Sequence, residues 1–327
     1  MRRVRFALWL AVAAAALSRP APIRAQDGNG RVSSYECCST LLYPVGARVV
    51  ALGTALTARS MPDALYVNPA GIAGLDVDEF RVHSERSDIN KTTTFAVTFG
   101  VGRAGTAAIS YRLLDYGDIE ATDDNGNPTG TLSFTDNLVS ATFATSILPH
   151  LNAGVTYKLF QWRQDCSGFC QEQPASGTTN AIDLGVRLEV PWVPTLQLGF
   201  AATQLGLPLQ VRNAAQSDPA PTRLRIGAAY EVLQHFHPDS TMQLVASADL
   251  VRGIREGIES TAAVGLELIL DRSLFVRAGY ATGTGKGTGG SVGVGMIWDR
   301  FDVSVAKSFA AADDGAEPFQ VTFAIRF

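Results

Sequence analysis

From residue 79 onward the chain alternates apolar and polar positions with a period of two. Phe95, Val97, Phe99 and Val101 oppose Thr94, Ala96, Thr98 and Gly100. Leu151, Ala153, Val155, Tyr157 and Leu159 oppose Asn152, Gly154, Thr156 and Lys158. The pattern recurs around Ile182, Leu224 and Val264 and closes the chain, where Phe319, Val321, Phe323, Ile325 and Phe327 oppose Gln320, Thr322, Ala324 and Arg326. Alternation of this kind marks strands with one apolar face. It predicts about fourteen strands, near 79–87, 91–101, 104–115, 134–146, 150–163, 179–190, 194–204, 222–232, 241–252, 257–270, 273–282, 289–298, 300–308 and 318–327. Most are too long for a soluble sheet and suit a tilted strand that crosses a bilayer.

The connections carry a second signal. Turns at 102–103, 147–149, 191–193, 271–272 and 299 are short, whereas 116–133, 164–178, 205–221, 283–288 and 309–317 are expected as longer loops. Short turns at one end and long loops at the other are what an outer-membrane barrel has. The segments 88–90 and 233–240 break the rule. Charges of both signs fall on the face opposite the apolar one: Lys158, Asp183, Arg187, Glu189, Arg223, Arg225, Glu231, Asp249, Glu267, Arg277 and Arg326. A polar lumen inside and lipid outside accounts for them, and the mixed signs predict ion pairs rather than an ion-selective ring. Glycines at 154, 185, 199, 227, 265 and 279 on the same face predict spare room inside.

The first residues read as a secretory signal peptide. Arg2, Arg3 and Arg5 precede a twelve-residue apolar run at 6–17, too short to span a bilayer, and cleavage is expected near Ala25. The domain plan is then 1–25 signal peptide, 26–78 periplasmic or luminal plug, and 79–327 transmembrane antiparallel β-barrel, an all-β fold with a short helical segment before it. Without residues 1–25, Lys+Arg falls from 27 to 22 against 31 acids, a net charge near −9. That excludes a basic nucleic-acid footprint.

Four cysteines fit an oxidising compartment. Cys37 and Cys38 are adjacent, and Cys166 and Cys170 are four apart. Three pairings exist, with 166–170 favoured because it closes a small loop. No His stands near either pair, which argues against zinc. No cofactor is expected. Gly289-Gly-Ser291-Val-Gly293 spells a nucleophile elbow without a later His. Gly283–Gly290 spells a phosphate loop, but Lys286 is followed by Gly. His235 and His237 have no third ligand in sequence, and Asp123-Asp-Asn-Gly-Asn127 lacks the downstream Glu of a calcium loop. No enzymatic residue set emerges.

Residues 41–75 differ, with small residues and weak helical character. Asn68 can cap and Pro69 can open a helical turn that Gly71 or Gly74 can end. Here the chain resembles a known family. Gly46-Ala47-Arg48, Gly53-Thr-Ala-Leu56 and above all Asn68-Pro69-Ala70-Gly71-Ile72-Ala73 look like PorV/PorQ outer-membrane proteins, whose barrel type is shared with FadL-like fatty acid transporters. Tyr111–Glu120, Asp183-Leu-Gly185 and Ala278-Gly279-Tyr280 also match. The chain departs at 53–56, where a second glycine and a phenylalanine are usual, and adds the cysteine loop.

The resemblance implies a fourteen-stranded barrel in the outer membrane of a Gram-negative-type bacterium, in contact with its lipid, with Asn68, Pro69, Ala70 and Gly71 as a luminal plug or gate. It implies one of two roles. The first is a partner-binding component of type IX-like protein export, with secretion-system or exported proteins as partners. The second is a passive conduit for a hydrophobic ligand. A continuous apolar cleft among Leu65, Tyr66, Ile72 and Leu75 would favour the conduit, and a lumen closed by mixed charges would favour the partner role.

Overall fold

The computed structural model describes residues 36–327 apart from 88–89, 124, 171–173, 194, 212–216, 234–240, 256–259, 283–288 and 310–318. The expected signal peptide and His235 and His237 lie outside the described residues, as does nearly all of the glycine-rich 283–290 stretch.

Fourteen antiparallel strands close into one barrel. In chain order they are β1 (Glu79–Arg86), β2 (Lys91–Gly100), β3 (Thr106–Thr122), β4 (Pro128–Leu148), β5 (Leu151–Gly168), β6 (Ala175–Glu189), β7 (Leu196–Gly206), β10 (Arg223–Glu231), β11 (Met242–Gly253), β12 (Ser260–Leu270), β13 (Leu274–Thr282), β14 (Gly289–Trp298), β15 (Phe301–Ser308) and β16 (Phe319–Arg326). Two short strands, β8 (Leu209–Gln210) and β9 (Ser217–Asp218), pair with each other in the connection between β7 and β10. Every expected strand is present. The barrel closes through β1 and β16, with Val82 opposite Phe323 and Phe80 opposite Ile325. Phe319, Phe323 and Phe327 are exposed, Val321 and Ile325 half-buried, and the Phe327 amide donates to the Asp78 carbonyl. Arg326 reaches the lumen rim, 3.8 Å from Glu79.

Two of the expected external loops are corrected. Residues 116–133 and 164–178 are largely strand: β3, β4, β5 and β6 continue outward and leave only short connections. A bulge between Asp115 and Asp118 re-registers β3 on β4, and the pairing resumes beyond it. The Asn125-Gly126 turn caps the hairpin, with Asp123 accepting from the amides of Asn125 and Asn127. Cys166 and Cys170 are disulfide-bonded at the lip of this projecting wall, and Cys37 and Cys38 are bonded to each other.

The outer face is apolar all round. Ile109, Tyr157, Leu184, Ile226, Val264, Val294 and many like them are exposed on successive strands. So large an apolar belt is stable against lipid and not against water. Trp192, Trp298 and Phe327, all more than 70% exposed, stand at the end of the barrel with the short turns. There they form an aromatic girdle of the kind found at a membrane interface. This end is the periplasmic one, by the same asymmetry of short turns and long loops.

Candidate functional site

The lumen is filled by the chain's own N-terminal segment. A helix, α1 (Ala47–Ala51), and 3-10 turns at Ser39–Leu42, Pro62–Tyr66 and Pro69–Ile72 follow one another through the barrel, mostly buried except for Ser39 and Leu42 at the outer end. Glycine spacing on the wall explains how the plug fits. A Cβ on Gly185 would stand 1.9 Å from Asn68 Oδ1, and one on Gly279 would stand 2.3 Å from the Gly53 amide. Gly154, Gly199, Gly227, Gly265 and Gly293 face the same backbone trace. The room expected inside the barrel is therefore a lane of glycines occupied by the plug.

Asn68 and Pro69 behave as their residue types dictate. The Asn68 side chain accepts from the Ala70 amide (3.1 Å) and donates to the carbonyls of Thr57 (2.7 Å) and Val186 (3.1 Å). Pro69 opens the turn, where its missing N–H costs nothing. Ala70 and Gly71 pack without space, Gly71 lying against Ala64 and the Arg59 carbonyl. Asn68-Pro69-Ala70-Gly71 thus forms a knot that ties plug to plug and plug to β6.

One side of the plug is held by charge. Asp63 bonds Arg81 of β1 (3.2 Å) and Arg48 of α1 (3.4 Å). Glu267 of β12 receives Arg59 (2.5 Å), Arg277 of β13 (2.7 Å) and Arg48 (3.4 Å). Asp249 of β11 accepts from the Thr57 amide and hydroxyl and pairs with Arg225 of β10. Burial pushes the Asp63 carboxyl up, but the Arg81 and Arg48 guanidinia outweigh it and hold it below the usual carboxylate range. Burial disfavours the Arg48 charge, and Glu267 and Asp63 more than restore it. Sequence reading picked out Glu267 and Arg277 on their strands but missed Asp63, Arg59 and Arg81. For Arg59 and Asp63 the signal was there: charges in a segment rich in Ala, Gly, Leu and Val.

The other side is apolar. Leu65, Ile72 and Ala73, flanked by Tyr66 and Leu75, pack on Ala96 of β2, Ala108 of β3 and Ala144 of β4. Higher up, Cys37 and Leu41 pack with Leu138 of β4, Phe160 of β5 and Leu209, with Trp162 alongside. The wall's hydroxyls mostly bond one another there, as in Ser110 with Ser140 (2.6 Å) and Thr142 with Thr156 (2.8 Å). Between the two clusters lies a cavity of about 20 Å³, bounded by Leu41, Leu65, Tyr66, Leu138, Arg112 and Lys158. That is room for about one water. Burial raises the Tyr66 hydroxyl well above its ordinary pKa. Below, a polar vestibule of about 510 Å³ opens among Ser60, Ala73, Gly74, His150, Asn152, Arg187 and Glu189. Ser291, the elbow serine, sits in β14 and donates to the Ala51 carbonyl, another plug contact.

A closed fourteen-stranded barrel with an apolar outer belt and a polar lumen filled by its own N-terminal plug is an outer-membrane barrel, and its fold is similar to that of solved transporter barrels. The Pseudomonas putida toluene transporter TodX superposes with a TM-score of 0.61 at 11% identity, covering 86% of this chain and 98% of that one. The Ralstonia pickettii toluene transporter TbuX gives 0.55 at 14% identity, over 86% and 98%. A Pseudomonas aeruginosa FadL homologue gives 0.52 at 10%, over 87% and 99%. No family model matches the chain, and no curated protein does.

Proposed function

We propose that this protein is a conduit for hydrophobic small molecules across the outer membrane. One observation carries the reading: two apolar clusters lie one above the other along the β2–β5 wall, separated by a small cavity that Arg112 and Lys158 also line. Trp162 and Leu209 begin the upper cluster, Leu41 and Leu138 continue it to the small cavity, and Leu65, Tyr66, Ile72 and Ala73 lead down to the polar vestibule. The ion pairs that anchor the plug lie off that wall, on β1 beside it and on β10–β13 across the barrel. A shift of the plug away from the β2–β5 wall would open a path along the two apolar clusters and past Arg112 and Lys158. The fold neighbours named as toluene transporters support the same role.

The second reading is a PorV/PorQ-type partner in protein export. The closed, charge-bearing lumen and the projecting β3–β6 wall favour it. Uptake of a labelled monoaromatic into vesicles with a lipopolysaccharide outer leaflet separates the two. Uptake that depends on the protein and falls in Leu65→Glu supports the conduit. Absent uptake, with exported proteins co-purifying from native membranes, supports the export role.

A further inference from the structure

Arg112 of β3 and Asp136 of β4 are deeply buried, 5% and 2% exposed. Neither has an ion-pair partner among the described residues. Every other strongly buried cation in the lumen does: Arg48, Arg59, Arg81, Lys158, Arg187 and Arg277 each lie within 3.4 Å of a carboxylate. Glu85, the other acid facing this region, acts on Arg112 through space but forms no ion pair with it and accepts a hydrogen bond from Gln320. The strand register makes the isolation of this pair surprising. Arg112 stands opposite Leu138 and Asp136 opposite Leu114, all on the luminal face. The two charges are therefore diagonal cross-strand neighbours, a separation of roughly 7–8 Å that a long side chain spans.

What keeps them apart is the plug. Arg112 Nη1 donates to the Thr40 carbonyl (2.7 Å), and the Thr40 hydroxyl donates to Asp136 Oδ2, which also receives the Tyr116 hydroxyl (3.0 Å). Arg112 Nε and Asp136 Oδ1 are left without any partner. An uncompensated buried charge is costly, and here two of opposite sign sit on either side of one threonine.

We propose that Thr40 is a removable wedge. When the 39–42 turn withdraws, Arg112 and Asp136 pair directly, and the pair stabilises the open form. The wedge rests on the conduit reading for its purpose but not for its test. A simple anchor would behave oppositely, because its charges would stabilise only the closed form.

The test is amide hydrogen exchange of residues 40–43 in the full-length protein in nanodiscs, since exchange there reports the open population. Asp136→Asn keeps an acceptor for Thr40, relieves a buried charge and removes the open-state pair, so exchange slows about tenfold. Arg112→Gln keeps a donor for the Thr40 carbonyl and slows it likewise. Thr40→Val removes the hydroxyl bond from the closed form and speeds exchange about tenfold. Faster exchange in Asp136→Asn and Arg112→Gln overturns the wedge, as does an unchanged rate. Heat-modified gel mobility confirms that each barrel has closed. Uptake of the labelled monoaromatic on the same samples keeps the two ideas apart. Slowed exchange without uptake in any sample refutes the conduit and leaves the wedge standing. Uptake with accelerated exchange in Asp136→Asn does the reverse.

Discussion

Gly185→Ala adds one methyl group to the inner wall and should unseat the plug. Its Cβ would stand 1.9 Å from Asn68 Oδ1 and 2.9 Å from Pro69 Cδ, so Asn68 has to move. Asn68 is fully buried and makes three hydrogen bonds, to Ala70, Thr57 and Val186. Losing three buried bonds at about 1 kcal/mol each costs about 3 kcal/mol. That raises plug opening by roughly two orders of magnitude. The barrel itself is held by the unbroken strand ladder and should survive. Hydrogen exchange across 61–75, read by mass spectrometry, should rise by that factor while exchange in β6 and β7 stays slow. Gly290→Ala, with nothing within 4 Å of its added carbon, is the control and should change neither. Unchanged exchange in Gly185→Ala would mean the glycine lane does not seat the plug. A barrel that fails to close would mean the wall depends on the plug more than the ladder suggests.

Three further outcomes are expected. Asp63→Asn leaves Arg48 and Arg81 with one fewer carboxylate and should loosen the plug by about 3–5 kcal/mol, measurable by the same exchange. Because the Asp63 carboxyl sits below its ordinary value of 3.8, its contribution is fully present above that value and is lost only as pH falls through the depressed one. Plug exchange, corrected for its intrinsic pH dependence, should therefore stay flat from about pH 8 to 5 and rise only in stronger acid; a rise near pH 6 would count against the Asp63 latch. Val294→Arg, in the middle of the lipid-facing side of β14, should cost about 2–4 kcal/mol in a urea titration of the barrel in bilayers, and a negligible cost would argue that this face does not meet lipid.

Much of the barrel was legible because lipid on one side and a polar lumen on the other enforce a strict two-residue alternation. The strand positions followed from that alone. The outward extensions of β3–β6 were not legible, because above the membrane the outer face turns polar. Asp118 and Glu120 then read as loop. The plug was recognisable as a segment but not as a fit. Gly185 and Gly279 read only as room for something inside, since a sequence gives no sign of which distant backbone lies against a missing side chain. Arg112 and Asp136 each fall on the luminal phase of their strands, yet their isolation depends on Thr40, about 70 and 100 residues earlier in the chain.

The plug's anchors also set an order of events in folding. The segment lies immediately before β1, yet its partners are spread around the barrel: Val186 lies 118 residues from Asn68, Asp249 lies 192 from Thr57, and Thr322 lies 275 from Ala47. Contacts this distant in the chain carry the largest loop-closure entropy and form late. Residues that precede β1 thus have to wait for nearly the last strand. The plug can settle only as β1 and β16 meet, so sealing the wall and filling the lumen become a single terminal step.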